Sequence, residues 1–469
     1  MIAGLKQYAE YKDSGLPWLG LVPAHWQIVR SKRLFSARKD LAQPDDPQLS
    51  ATQAYGVIEQ AEFERRSGHR VVKISMHLDK RKHVEKNDFV ISMRSFQGGI
   101  ERAWASGAIR SSYVVLKPGP DVDASFFQYL LKSPGYIRAL QATGDFIRDG
   151  QDLNFVNFVR VDLPSVPIAE QASIARFLDW ANSRIERAIR AKRKVIALLM
   201  EQRHALIQRA VARGLDANVP LTSSGNPWLG DIPRHWRALQ VRRVAAFVTS
   251  GSRGWASFYS EHGLIFLQSG NLGRSMALNL SRIQYVRPPT GAEGERTRVR
   301  TDDVLVCITG ALTGNVAIVD RELPAAAFVN QHVALVRPAE GVIAPRFLAY
   351  VLHSNVGQSQ FKTNEYGGTK QGLGLGDVKS VFVPVPPPQE QMAICAHLDA
   401  EVVRFSEATI RLEREIELLR EYRNRLVADV VTGKLDVREV AARLPHDGAT
   451  GLEAEIDDSE LIDEEATEA

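Results

Sequence analysis

Cysteine is nearly absent from this sequence, with only Cys307 and Cys395 among 469 residues. Two cysteines cannot build a disulfide scaffold, and such low usage is typical of a reducing compartment. The sequence also lacks an apolar run of the ~20 residues needed to cross a bilayer. Charged residues appear within the first fifteen positions, which argues against a signal peptide. We therefore expect a cytoplasmic protein with no membrane partner.

Recognisable catalytic motifs are lacking as well. The sequence contains no G-x-x-x-x-G-K-[ST] phosphate loop, and no G-x-G-x-x-G follows a predicted strand. Its eleven histidines and two cysteines do not cluster at the spacing of metal ligands. We therefore expect no catalytic residue, no metal site and no cofactor in this chain.

Basic residues are missing from the C-terminal end. Residues 445–469 hold ten Asp/Glu and no Lys/Arg, so the other 444 residues carry 59 basic and 45 acidic groups, about +14. A basic body suits a partner made of phosphate, such as nucleic acid, although many basic proteins bind nothing anionic. The tail composition predicts disorder. The tail could alternatively act as a decoy that competes with an anionic partner for the basic surface of the protein.

What the sequence does contain is an internal repeat. GLPWLGLVPAHW at Gly15–Trp26 returns as GNPWLGDIPRHW at Gly225–Trp236, with eight of twelve residues identical at an offset of 210. We expect the histidines of these two copies, at positions 25 and 235, to pack or hydrogen-bond rather than to ligate a metal.

A second repeat has an offset of 220. LPSVPIAEQASI at Leu163–Ile174 matches VPVPPPQEQMAI at Val383–Ile394 in type and order. Its prolines end a strand and begin a helix. Glu170 and Glu390 then lie in the first helical turn, where the helix dipole favours an acid.

Long helices are predicted after both proline clusters. Apolar residues at alternating three- and four-residue steps form a heptad seam, which is typical of a coiled coil. The seam residues are Ile189, Ile196, Leu199, Leu206, Leu412, Ile416, Leu419 and Leu426. Some 40 helical residues span ~60 Å at 1.5 Å per residue. The alternative is two amphipathic helices that pack separately on globular cores.

Two segments of similar length and different sequence, about 27–163 and 237–383, lie between the repeated elements. Short alternating apolar runs such as Phe89–Met93, Val304–Ile308 and Val333–Val336 predict strands, and Phe126–Leu140 and Pro345–Phe361 predict helices. The fold class is therefore α+β, with two mixed α/β domains separated by two long antiparallel helices that form a coiled coil. The predicted division is a first domain at 1–166, a first helix at 167–213, a second domain at 214–386, a second helix at 387–433, and a segment at 434–469 that ends in the acidic tail.

The repeat is also circular. Gly214-Leu-Asp followed by Gly225-Asn-Pro-Trp resembles the C-terminal Lys434-Leu-Asp joined to the N-terminal Gly15-Leu-Pro-Trp. A circular two-fold repeat can close about a pseudo-two-fold axis, which would set the two helices antiparallel.

These elements together resemble the DNA specificity subunit of type I restriction-modification systems, over about residues 11–440. The run from Gly367-Gly-Thr-Lys-Gln to Val383-Pro-Val-Pro-Pro-Pro-Gln-Glu-Gln391 is similar to the junction between domain and helix in that family, and Gly15–Trp26 is similar to its entry into a target-recognition domain. Arg148-Asp-Gly-Gln151 replaces the glycine-rich run at the first junction, and the acidic tail lies outside the resemblance.

The resemblance implies a non-catalytic protein in which each target-recognition domain reads one half of a split sequence in double-stranded DNA. It implies two methyltransferase subunits that carry S-adenosylmethionine and methylate adenine, and motor-nuclease restriction subunits that use ATP and Mg²⁺. The coiled coil would space the domains and dock the methyltransferases. The alternatives are a standalone nuclease or methyltransferase, and a coiled-coil scaffold that does not read DNA.

Polar side chains in glycine-bearing loops are the candidates for DNA contacts, because Arg pairs bidentately with guanine and Asn or Gln with adenine. They are Arg94, Gln97, Arg110, Arg148 and Gln151 in the first domain, and Asn315, Asn330, Gln331, Thr369, Lys370 and Gln371 in the second. Lys370 is the expected phosphate contact, since an ammonium acts as a point charge. Contact with phosphate or water alone is the alternative for each of the others.

The first long helix has a basic outer face. It consists of Arg184, Arg187, Arg190, Arg193 and Lys194. This face could meet spacer phosphates or an acidic partner surface, or it could simply be solvated.

Overall fold

The structure, a computed structural model, describes residues 5–71, 80–92, 95–144, 154–251, 254–273, 275–288, 291–364 and 372–445. The acidic tail from residue 446 onward lies outside these ranges. The chain divides into two compact units, which are described separately. Unit 1 comprises Met1–Ala191 and Arg414–Ala469, and unit 2 comprises Lys192–Glu413. Within the described ranges, no helix is long and apolar enough to cross a membrane.

Unit 1 begins with short strands and helices that lead into the first long helix. Its strands are β1 (Tyr11–Asp13), β2 (Leu21–Pro23), β3 (Gln27–Val29), β4 (Phe35–Ala37), β5 (Leu49–Thr52), β6 (Gly56–Glu59), β7 (Lys82–Val84), β8 (Phe89–Ile91), β9 (Glu101–Arg102), β10 (Gly107–Ile109), β11 (Val114–Pro118) and β12 (Leu163–Ser165). Its helices are α1 (Ser31–Leu34), α2 (Gln60–Ser67), α3 (Ser95–Gly98), α4 (Ala124–Leu130), α5 (Pro134–Gln141), α6 (Phe155–Val159) and the first part of α7 (Ile168–Arg213).

The main sheet of unit 1 has the strand order β4-β11-β8-β9 and is antiparallel throughout. Both of its faces are covered, because side chains alternate across a strand. Phe89 and Ile91 enter one hydrophobic core, whereas the intervening Val90 enters another. Burial on both faces explains why this strand is continuously apolar in the sequence. Two-stranded pairs β1-β2, β3-β12, β5-β6 and β7-β10 complete the unit.

Within the described residues, unit 2 has one main sheet like unit 1, two strand pairs where unit 1 has four, and one additional sheet. Its strands are β13 (Leu221–Ser223), β14 (Asp231–Pro233), β15 (Arg237–Gln240), β16 (Ala245–Ser250), β17 (Tyr259–Ser260), β18 (Leu264–Leu267), β19 (Gln284–Val286), β20 (Val304–Cys307), β21 (Val316–Ile318), β22 (Ala327–Val329), β23 (Val333–Pro338) and β24 (Phe382–Val385). Its helices are α8 (Val241–Val244), α9 (Ala292–Thr297), α10 (Pro345–His353), α11 (Asn355–Asn364), α12 (Leu375–Ser380) and most of α13 (Pro388–Val431). Short 3-10 helices cover Trp255–Phe258 and Ser269–Asn271.

The main sheet of unit 2, β16-β23-β20-β21, is antiparallel and again buried on both faces. The addition is a second four-stranded sheet, β17-β19-β18-β22, in which β18 and β22 run parallel. It packs Ile265 and Leu267 into the same core as Leu305 and Cys307. The extra sheet therefore thickens one side of the unit 2 domain.

Each predicted domain helix is two helices in the structure. The prediction of one helix over Phe126–Leu140 is wrong, because Ser133 caps a new helix whose first residue is Pro134. The prediction over Pro345–Phe361 is wrong in the same way, because Ser354 interrupts the helix and its hydroxyl accepts a hydrogen bond from Val356 N. Proline at N1 and a serine cap both favour a fresh start over continuation.

The two long helices contain 46 and 44 residues. In unit 1 the beginning of α7 packs on the end of α13, so that Phe177 shares a core with Val430, and Glu186 pairs with Arg423. In unit 2 the end of α7 packs on the beginning of α13, so that Val211 shares a core with Leu398. Within each unit the helix segments are thus antiparallel, as the predicted fold class requires.

None of the eight seam residues is exposed. Ile189, Ile416 and Leu426 are buried, and the other five are partly buried. By contrast, the neighbouring Leu198 and Leu418 are about half exposed, at 48% each. The seam therefore faces inward, and its neighbours face outward. After α13 the chain ends its described part with α14 (Arg438–Ala442) in unit 1.

Candidate nucleic-acid interface

The repeated His-Trp pair holds the first turn of the long helix in unit 1. Buried Glu170 of α7 accepts hydrogen bonds from Trp26 Nε1 at 3.0 Å and from Tyr8 OH at 2.7 Å. His25 Nε2 lies 2.7 Å from the other carboxylate oxygen. Burial beside this carboxylate raises the pKa of Tyr8, so its hydroxyl stays a donor. The carboxylate predicted to serve the helix dipole thus also binds the Pro-Trp element.

Unit 2 repeats this arrangement with fewer partners. Glu390 accepts a hydrogen bond from Trp236 Nε1 at 3.0 Å, and His235 Nε2 lies 2.9 Å from the same oxygen. Both repeated histidines are therefore hydrogen-bonding residues, as the sequence predicts. We call this contact the His-Trp-Glu clasp in both units.

A glutamine next to each clasp glutamate makes a second attachment. Gln171 Nε2 donates to Asp121 O and Val166 O, and its Oε1 accepts from Asp123 N. Gln391 makes the same three bonds in unit 2, to the backbone of Val342, Pro386 and Ala344. The Glu-Gln pair of the repeat therefore makes two different attachments. The glutamate holds the Pro-Trp element, and the glutamine holds the loop that leads into α4 or α10.

A tyrosine–aspartate hydrogen bond makes the third attachment, further along each long helix at Asp179 and Asp399. Tyr129 OH donates to Asp179 Oδ1 at 2.6 Å in unit 1, and Tyr350 OH donates to Asp399 Oδ1 at 2.5 Å in unit 2. In unit 2, Arg346 also donates to this oxygen, with its Nε at 2.7 Å. Three repeated attachments thus fix each domain to its own helix segment.

One end of the main sheet in unit 2 gathers the loops that carry the predicted reading residues. Asn330 N donates to Leu267 O at 2.9 Å, and Gly251 N donates to Asn330 O at 3.1 Å. Thr309 bridges Gly372, the first described residue after the 365–371 loop. We call Gly251, Thr309, Asn330–His332 and Gly372 the loop edge. Backbone hydrogen bonds connect its segments, so side chains from distant parts of the chain lie next to one another.

The predicted DNA-contacting residues at or near the loop edge differ in how many of their side-chain hydrogen-bonding groups are already used within the protein. Asn330 is 8% exposed, and its Oδ1 accepts from His332 N at 3.0 Å within the turn. Asn315 is partly buried, and its Nδ2 donates to Leu272 O at 2.8 Å. Gln331 is partly exposed at the tip of the turn, with its Nε2 3.1 Å from His332 Nε2. Thr369, Lys370 and Gln371 lie outside the described residues.

Unit 1 has an equivalent turn. Tyr113 N donates to Arg110 O at 3.1 Å where the chain enters β11, and Val333 N donates to Asn330 O at 3.2 Å where it enters β23. The two turns are related by the offset of 220. Arg110 and Gln97 are exposed, whereas Arg94, Arg148 and Gln151 lie outside the described residues. The assignment of all these residues to DNA stays a prediction.

His332 is the residue at this edge that the sequence analysis missed. It lies beside two predicted candidates, and aligning the two turns at the offset of 220 would have included it.

The basic face of α7 was predicted from the sequence. Arg184, Arg187 and Arg190 are exposed in unit 1, and Arg184 lies over the ring of Trp180 at 5.2 Å. In unit 2, Lys194 is exposed and Arg193 is partly buried.

Comparison with known proteins identifies a family match in the C-terminal half of the chain. Residues 293–418 match the family described as the type I restriction modification DNA specificity domain. The match covers about a quarter of the chain and lies mostly within unit 2. The matched segment includes most of the loop edge and the beginning of α13 with its clasp glutamate. The three attachments recur in unit 1, most of which lies outside the matched residues.

Curated relatives and a solved structure agree with this family. The chain is 24% identical over 283 residues to the EcoBI specificity subunit of Escherichia coli, covering 58% of each protein. It is 20% identical over 215 residues to the EcoKI specificity subunit of Escherichia coli K12, covering 44% of each. The matches thus span less than two thirds of these relatives.

A solved structure is also similar, with a TM-score of 0.62 and 18% sequence identity to this chain. Its title describes "complex assembly and conformational transition of the type I R-M system". The match covers 87% of this chain and 98% of that one. At this identity the likeness shows a shared fold.

Proposed function

We propose that this chain is the DNA specificity subunit of a type I restriction-modification complex, in which units 1 and 2 each read one half of a bipartite, asymmetric target. The observation that carries the proposal is the contrast within the repeat. The three attachments to the helices are the same in both units, whereas the equivalent turns differ, Arg-Ser-Ser-Tyr at Arg110–Tyr113 against Asn-Gln-His-Val at Asn330–Val333. A constant frame with variable loop side chains suits two readers of different sequences.

We further propose that the chain is not itself an enzyme and that it acts in the cytoplasm. Two methyltransferase subunits would supply S-adenosylmethionine chemistry on adenine, and motor-nuclease restriction subunits would use ATP and Mg²⁺. The support is that the curated relatives are named specificity subunits of type I restriction enzymes. The net positive charge outside the tail, about +14, suits a duplex partner.

Adenine methylation mapped across the host genome tests this proposal. Cells that contain the chain should carry a methylated motif in two separated parts with an unread spacer, and cells that lack it should not. Restoring the gene should restore the same motif. A continuous or perfectly palindromic motif would contradict two different readers. DNA cleavage or methylation by the purified chain alone would support a standalone enzyme instead.

We also propose that α7 and α13 set the length of the unread spacer. A helix advances ~1.5 Å per residue and is stiff, so its length is a natural ruler. Four residues inserted near Met200 add about one turn, or ~6 Å. The spacer in the methylated motif should then change length while both half-sites keep their sequence. An inserted variant that methylates the original spacing would show that the helices are not the ruler.

A further inference from the structure

The turn at Asn330–Val333 is held rigidly at the loop edge. The side chain of Asn330 closes it by accepting from His332 N, and Ile308 N donates to His332 O at 2.9 Å. Gly251 packs so closely beneath that an added Cβ would lie 1.9 Å from Val329 O. A turn fixed on this many sides presents the side chain at its tip with little freedom, which is what sequence readout requires.

The side chain at the tip is itself oriented by its neighbour. Gln331 Nε2 lies 3.1 Å from His332 Nε2. With the amide oriented as in the structure, Gln331 Nε2 donates and the neutral His332 Nε2 accepts, whereas a reversed amide would need the tautomer that carries a proton on Nε2. Gln331 makes no other side-chain hydrogen bond within the described residues. Its Oε1 and its second N–H are therefore left as an adjacent acceptor and donor.

This pattern matches one base edge in the major groove. Adenine offers an N6 donor beside an N7 acceptor, which a glutamine amide pairs bidentately, whereas guanine offers two acceptors there. We infer that Gln331 reads an adenine in the half-site of unit 2, and that His332 is a positioning residue that fixes the rotation of the Gln331 amide. The inference rests on the proposed function, because it presumes that unit 2 reads a half-site.

Unit 1 supplies the contrast. At the positions equivalent to Gln331 and His332 its turn carries Ser111 and Ser112, which are both exposed. Serine hydroxyls donate and accept without the bidentate geometry of an amide. The turn of unit 1 therefore reads its half-site differently, and a serine substitution there serves as the matched control.

The experiment begins with the methylated motif of the host and then compares Gln331→Ala with Ser111→Ala in the full chain. Gln331→Ala should remove the preference for one A·T pair in one half-site and leave the other half-site unchanged. Ser111→Ala should leave that A·T pair preferred. In binding assays on the complex purified through a tag on the full chain, 7-deazaadenine at that position should weaken wild-type binding about 10- to 100-fold. The same substitution should barely affect binding by Gln331→Ala.

Two further variants separate reading from folding. Gln331→Glu should shift the preference at the same position toward cytosine, because a carboxylate accepts from the cytosine N4 amine. His332→Ala should reduce the discrimination of adenine from guanine at that position alone. Because His332 acts through Gln331, the double variant should discriminate no worse than Gln331→Ala by itself.

The outcomes are distinguishable. If Gln331→Ala leaves both half-sites unchanged and Gln331→Glu shifts neither of them, the inference is overturned. Equal weakening on all sequences would also overturn it, because Gln331 would then be a phosphate contact. If no bipartite motif depends on the chain at all, the proposed function fails and the inference fails with it.

Discussion

The two His-Trp-Glu clasps hold equivalent carboxylates in different surroundings. The side chain of Glu170 in unit 1 is 5% exposed, and it has Tyr8 as an additional partner, with Arg438 at 4.0 Å. The side chain of Glu390 in unit 2 is 29% exposed and is bonded by the His-Trp pair. The same sequence repeat thus gives a buried, more heavily bonded clasp at one junction and a more open one at the other.

The reason lies in how the chain enters each junction. In unit 2 the chain runs continuously from α7 into β13. In unit 1 the corresponding passage is made by the two ends of the chain, where Asp436 N donates to Lys6 O at 2.8 Å and Tyr11 OH donates to Lys434 O at 3.0 Å. The offsets of 210 and 220 relate Asp216 to both Lys6 and Asp436. Non-covalent contacts therefore close in unit 1 the passage that is covalent in unit 2.

The largest difference between the two units is expected when each clasp glutamate is replaced separately. Glu170→Ala leaves the Tyr8 hydroxyl and the Trp26 indole N–H buried without an acceptor, which should destabilise unit 1 by about 3–5 kcal/mol. Glu390→Ala exposes its partners to water and should cost unit 2 about 1 kcal/mol. Hydrogen exchange followed separately in each unit measures both losses. Equal losses in the two units would contradict the difference in burial.

Joining the ends tests the closure directly. A circular permutant would link the end of the described chain to the N-terminus and open the chain between Gly214 and Pro220. Unit 1 should become more resistant to local opening and unit 2 less so, each by about 1–2 kcal/mol, because the covalent passage has moved. The wild-type chain is the control in the same exchange experiment. A permutant whose unit 1 gains no protection and whose unit 2 loses none would show that covalent closure of this passage does not set the stability of either unit.

A milder change converts one clasp toward the other. Tyr8→Phe removes one hydrogen bond to Glu170 and leaves the partners that Glu390 also has. The expected loss in unit 1 is about 1–2 kcal/mol, since a hydrogen bond to a buried charge is lost. The comparison variant is Tyr11→Phe, which removes the donor to Lys434 O and the acceptor of Tyr8 N but no bond to a buried carboxylate, and it should cost less. Chemical denaturation with exchange detection ranks the two.

The smallest expected effect is the pH dependence that His83 gives unit 1. Hydrogen bonds to Asp46 at 2.7 Å, and secondarily to Glu85 at 3.0 Å, raise the pKa of His83 above its ordinary 6.5. The stabilisation is fully present below the ordinary pKa and is lost as pH rises through the raised one, by up to about 1 kcal/mol. His83→Gln should flatten this slope above pH 6.5. In unit 2, burial lowers the pKa of His353 to about 4, which adds a dependence of opposite sign below pH 6.5 in both proteins. An unchanged slope in the variant would assign the pH dependence elsewhere.

The sequence predicted local features well where repeats and periodicity carried the signal. The buried strands β8, β20 and β23 and both long helices lie where apolar spacing indicated them. It could not predict that Glu170 would bind His25, because the partners are 145 residues apart and hydrogen bonds leave no periodicity. The second sheet of unit 2 was missed for the same reason, since its parallel β18-β22 pair depends on a long-range register.

The candidate site shows the same limit. The sequence predicted candidate residues in glycine-bearing loops, and in unit 2 the described glycines Gly251 and Gly372 adjoin the loop edge. Which amide faces outward could not be predicted. Asn330 and Gln331 are adjacent and chemically alike, and only the turn geometry turns the Asn330 side chain inward. Readout depends on such rotations, which tertiary packing decides.

The proposed function requires that two units with the same attachments to their helices read different half-sites. The most direct measurement replaces residues 27–163 of the full chain with residues 237–383 and maps adenine methylation in a host that expresses only this chimera. The frame should accept the exchange because the three attachments are repeated. The account predicts a motif whose two half-sites have become copies of each other, both equal to the unit 2 half-site of the wild type. A folded chimera that still methylates the original asymmetric motif would contradict it.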